Sequence, residues 1–150
     1  MLSARLVQLI ETHWEEIATR VTRAIKEHPE MRHLSRRPEG ELREWCQQIL
    51  SGLGTVLAAA RKDEMKRRFE LLGRMRYEEN IPLHEAVLRF HLLKEQTTGF
   101  IHEQGFALNA VELYAEHELG QRINRFCDAA VYRVVRGYEE ALRKAQRMAS

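Results

Sequence analysis

An all-α bundle of about five helices, closed by one long C-terminal helix, is the fold class this sequence predicts. Three observations carry the prediction. Apolar residues recur every three to four positions along most of the chain. No alternating run is long enough for a strand. The three prolines, Pro29, Pro38 and Pro82, fall between the periodic stretches. Pro38 and Pro82 suit the first turn of a helix, where a missing N–H costs nothing. A chain of 150 residues fits one domain, 1–150, and buries about 68–70% of its unfolded surface.

The elements follow in order. A first helix is expected from about Ser3 to Glu27, because Val7, Ile10, Trp14, Ile17, Val21 and Ile25 form one apolar stripe. "HPEMRHLSRRPEG" is a charged, breaker-rich loop. A second helix starts near Pro38 and carries Leu42, Trp45, Ile49, Leu53, Val56 and Ala60. A third, shorter helix follows "RKDE", with Asp63 as its N-cap and Met65, Phe69 and Leu72 facing in. The fourth begins at Pro82, with Leu83, Val87, Phe90, Leu93, Thr97 and Ile101 inside. "EQGFALN" breaks the chain, and Asn109 caps the last helix, with Gly120 a point of loosening. No internal repeat or low-complexity segment is present.

The last helix is about 40 residues, or roughly 60 Å, long. Its second half places Cys127, Val131, Val134, Tyr138, Ala141, Ala145 and Met148 at 4-3-4-3-4-3 spacing. A seven-residue repeat with small residues in the seam fits close pairing of two helices. The expectation is a homodimer, with 127–149 as an outgoing dimerisation and linker helix. For Cys127 to Val134 the alternative is packing on the chain's own core.

Composition and motifs exclude much else. Lys plus Arg is 24 against 22 Asp plus Glu, a balance that argues against nucleic acid as a partner. Cys46 and Cys127 lie in separate helical patterns and read as reduced, buried core thiols. The N-terminus lacks the pattern of a signal peptide, and no apolar run reaches a membrane span. A cytoplasmic protein is expected, with no membrane contact. The histidines are His13, His28, His33, His84, His91, His102 and His117. Glu-x-x-His occurs once, Glu30 to His33, in a loop, so a di-iron bundle is not indicated. His84, Leu88, His91, Glu95, Thr98 and His102 share one helix face beside the main apolar stripe. His91 and Glu95 are spaced to hold one metal, but a solvated polar flank is the default. The aromatics, Trp14, Trp45, Phe69, Phe90, Phe100, Phe106, Tyr114 and Phe126, read as core. There is no phosphate loop and no nucleophile context. No enzyme is expected.

One segment carries a resemblance. "LGRMRYEENIPLHEAVLRFHLLKE" resembles the globin-coupled sensors, in which a helix ending in the proximal histidine is followed by a short link and a Gly-apolar-Pro start. It also resembles the RsbR and RsbRD N-terminal domains of bacterial stress-signalling co-antagonists, which generally do without haem. Leu72, Gly73, Arg74 and Met75 match the first helix, and Ile81-Pro82 the start of the next. Arg76 stands at the ligand position and Asn80 where the sensors usually have Gly. The resemblance implies a globin-like or related bundle, although periodicity alone is shared with other five-helix bundles. It implies a non-enzymatic signal-transduction domain that dimerises and relays a signal through its C-terminal helix to an output module or partner. In the family that module is a STAS, kinase or transcription-factor domain. An arginine offers iron no lone pair, so no cofactor is expected. The alternative is a haem or small-ligand binding sensor of globin type, for which His91 and His84 would be the contacts.

Overall fold

Segregation of apolar residues on the 3.6-residue period dictates helices, and helices are what the computed structural model contains. It describes residues 2–59, 62–104 and 109–149. Among them are seven α-helices, a 3-10 turn at Leu34–Arg36 and no strand. The helices are α1 (Leu2–Thr12), α2 (Trp14–Glu27), α3 (Glu39–Leu50), α4 (Leu53–Ala59), α5 (Asp63–Glu78), α6 (Leu83–Glu103) and α7 (Ala110–Ala149). No helix among the described residues is long and apolar enough to cross a membrane. Ala60 and Phe106, expected on inner faces, lie outside the described residues.

Two of the predicted helices are each divided. The first breaks at His13. Backbone bonds from His13 N to Leu9 O (3.0 Å) and from Ile17 N to His13 O (3.3 Å) bridge the join. The break re-aims the chain, because α1 lies on α4 and α7 whereas α2 lies on α3 and α6. One straight stripe cannot meet both sets of neighbours. The second division falls at Ser51 and Gly52. Ser51 Oγ donates back to Gln47 O at 2.6 Å, a local bond that competes with helix continuation. Glu11 of α1 then accepts the Gly54 amide at 3.0 Å and satisfies a free N–H in the first turn of α4.

The predicted caps divide as well. Lys62, not Asp63, occupies the N-cap of α5, and it makes no side-chain capping bond. Asp63 is instead the first helical residue, where its charge favours the positive end of the helix dipole. The cap at Asn109 is present. Its Oδ1 accepts from Glu112 N at 2.9 Å and its Nδ2 donates to Glu112 Oε1 at 3.1 Å. From there α7 runs unbroken for 40 residues, through Gly120.

The core joins four helices through aromatic edges. Trp45 of α3 meets Phe90 of α6 at 5.1 Å between centroids, Phe90 meets Phe69 of α5 at 6.0 Å, and Phe69 meets Phe126 of α7 at 5.7 Å. Each such contact adds about 0.5–1.5 kcal/mol beyond burial. The inner face of α6 departs from its predicted stripe. Leu83 and Val87 are only half-buried, while Glu85 and Arg89 are buried.

Candidate functional site

The chain between α5 and α6 organises the site. Asn80 has φ 60°, the left-handed region in which Asn and Gly are favoured. Ile81 N donates to Arg76 O and Asn80 N to Tyr77 O, both at 3.0 Å. This is the Schellman pattern that ends a helix. It fixes the aim of Arg76, Glu79 and Ile81 together.

Arg76 and Glu79 form a charged cluster with Arg37. A Glu79 oxygen lies 3.3 Å from Arg37 and 3.3 Å from Arg76. Arg37 also approaches Glu41 at 3.7 Å. The cluster is only partly wet, with the Arg76 side chain 16% exposed and that of Glu79 30%. Burial pulls the Arg76 pKa below the usual arginine value, opposed by Glu79.

Arg89 lies deeper. It is buried, its guanidinium carbon sits 4.2 Å above the Trp45 ring, and its Nε has no hydrogen-bond partner. No carboxylate pairs with it among the described residues. Burial, with the Arg76 charge acting in the same direction, lowers its pKa to about 9. At neutral pH it remains a cation. The Trp45 face returns about 2 kcal/mol to a desolvated cation, whereas burying an ion costs several kcal/mol. Three guanidinium groups, Arg37, Arg76 and Arg89, thus face two carboxylates, Glu41 and Glu79. One positive charge is left over.

The other buried ion on α6 is fully engaged. Glu85 accepts the amides of His33 and Leu34 at 2.9 Å each and lies 2.7 Å from His33 Nδ1. It pins the His28–Pro38 loop to α6.

The same turn reaches α7. Tyr138 OH donates to Ile81 O at 2.8 Å, and the Tyr138 ring stands edge-on to Tyr77 at 5.4 Å. Beside it, α5 and α7 form the most extensive helix pair. A Cβ added at Gly73 would lie 2.0 Å from Val134 O, and one at Gly137 would lie 1.9 Å from Glu70 O. Only glycine fits either place, so the two backbones touch. Ion pairs from Arg133 to Glu70 (3.4 Å) and from Arg74 to Glu140 (3.3 Å) flank the contact.

The proposed dimerisation seam is split by this packing. Cys127 and Val134 are buried in the chain's own core, and Val131 packs partly against it. Tyr138 is half-buried on the α5–α6 turn. Ala141 and Ala145 are half-exposed and Met148 is 79% exposed. Both thiols are pushed up to about 12 by burial. His84 and His91 are exposed. His84 Nε2 lies 3.2 Å from Glu30 O, and His91 lies 3.6 Å from Glu95. They do not come together, and among the described residues no three His, Cys, Asp or Glu side chains gather as a metal site. An open groove of about 1380 Å³ between α6 and α7 is lined instead by His102, Tyr114 and His117.

Sequence reasoning missed Glu85 and Arg89. Their i, i+4 spacing reads as a solvent-exposed ion pair, yet each is buried and partnered elsewhere or not at all. The signal that was present is the apolar company of Arg89 in "AVLRFHLL".

The class of protein this defines is an all-α domain whose α5–α6 turn joins a buried cationic cluster to a long terminal helix. The chain belongs to the family described as the RsbT co-antagonist protein rsbRD N-terminal domain, whose model matches residues 15–150. No curated protein and no solved structure matches it.

Proposed function

We propose that this chain is a non-enzymatic sensory or regulatory domain of stress signalling, which dimerises and relays a change through α7 to an output module or partner protein. Family membership supports the regulatory role. The observation that carries the relay is the way α7 is held. It is clamped to α5 at Gly137 and to the α5–α6 turn at Tyr138. Beyond Gly137 no α7 residue is buried, up to Ala149. The open part of the seam, Ala141, Ala145 and Met148, is then the surface for a second copy, and the buried part, Cys127 and Val134, ties that surface to the core. A rearrangement at the α5–α6 turn changes the angle at which the paired helices leave the domain.

The test is oligomeric state by sedimentation, measured on Ala145→Glu. Ala145 is half-exposed and stands outside the hydrophobic core cluster, so the variant keeps its helical circular dichroism and its thermal midpoint. The expected result is a monomer from a dimeric parent. A folded variant that remains fully dimeric overturns this interface. Val134→Glu is the wrong probe, because Val134 is 2% exposed and the variant would unfold.

A further inference from the structure

We propose that Arg76 and Arg89 form an internal binding site for a small oxyanion, a carboxylate or phosphate group, that enters past Arg37 and Glu79. Three observations and the shape of the guanidinium group lead there. Arg89 is buried with an unpartnered Nε, and Arg76, whose charge acts on Arg89, also has an unpartnered buried Nε. Arg37 and Arg76 are matched by Glu41 and Glu79, and Arg89 adds one guanidinium with no carboxylate paired to it among the described residues. A guanidinium is a planar fork of donors shaped for carboxylate or phosphate oxygens. Finally, the carboxylate paired with Arg76 is Glu79, whose Oε2 is itself buried and makes no hydrogen bond. Glu79, ion-paired with both Arg37 and Arg76, therefore acts as an internal competitor. It sits at the partly exposed edge of the cluster, where an arriving anion displaces it towards Arg37. Trp45 lies beneath Arg89, with Phe90 against its edge.

The position of the site gives it a consequence, which rests on the relay reading above. Glu79 and Ile81 belong to one turn held by Asn80. Movement of Glu79 shifts the Ile81 carbonyl, and with it the hydroxyl of Tyr138 on α7.

The experiment titrates the full chain with inorganic phosphate and, separately, with sodium acetate, at constant ionic strength held by chloride. Binding is read by thermal midpoint and by tryptophan fluorescence. At about 100 times Kd the midpoint rises by several degrees. Glu79→Gln removes the competitor and tightens binding about tenfold. Arg89→Met abolishes it, and this variant folds, because it removes an unpaired buried charge. The stronger of the phosphate and acetate responses names the source of the oxyanion. No saturable response in either the parent or Glu79→Gln overturns the site. So does an undiminished response in Arg89→Met. An equal response to added chloride overturns the oxyanion assignment. Binding that leaves amide exchange in α7 unchanged overturns the coupling alone, and with it the relay through Tyr138, while the site stands.

Discussion

Asn80 shows how much one backbone angle organises. Its left-handed conformation lets α5 end in a Schellman turn, and the Gly usual at this place in the resembling sensors has the same freedom. Asn80→Gly is therefore expected to hold stability within about 1 kcal/mol, whereas Asn80→Val costs about 2 kcal/mol through steric strain. Urea denaturation of the two variants checks both. Glu85 gives a larger expected effect. Its carboxylate satisfies two amides and His33, so Glu85→Ala costs about 3 kcal/mol and exposes the His33 and Leu34 amides to exchange. A variant within about 0.5 kcal/mol of the parent would show that the loop is held by other contacts. The sequence identified the turn, through Ile81-Pro82 and the odd Arg76. It concealed Glu85 and Arg89, because burial of a charge depends on partners from distant segments, here the His28–Pro38 loop and Trp45.

At the scale of elements, periodicity was a good guide to where helices lie and a poor one to where they bend. Gly52 marks its break in the sequence, since it follows a serine able to bond back. His13 does not mark its break, because neighbours on two sides of the bundle impose it. The seven-residue repeat of α7 was legible as a pattern, but a pattern does not say which partner it serves. Gly73 and Gly137 decide that for the first half, by bringing α5 against α7. Gly73→Ala and Gly137→Ala each force the backbones apart and are expected to cost about 3 kcal/mol, above any gain in helix propensity of about 1 kcal/mol. Thermal or urea unfolding reads the loss directly. A stability gain in either variant would mean that the helices do not touch there.

For the whole molecule, pH exposes the burial of its thiols. Cys46 and Cys127 are pushed from an ordinary value of 9.0 to about 12 by burial. A raised folded pKa keeps the proton on the native state after the unfolded chain has lost it. Each thiol's stabilisation is complete below pH 9 and is lost as pH rises towards 12, at about 1.4 kcal/mol per pH unit. Cys46→Ala is expected to flatten this slope by one thiol's share in unfolding experiments across that range. An unchanged slope would place Cys46 in contact with water. The same rigidity that seals the core also shapes what leaves it. With Gly137 as a fulcrum, residues 137–149 make an arm of about 18 Å. A pivot of about 5° there sweeps Ala149 through about 1.6 Å, so a shift too small to disturb the core becomes a displacement that a neighbouring protein can feel.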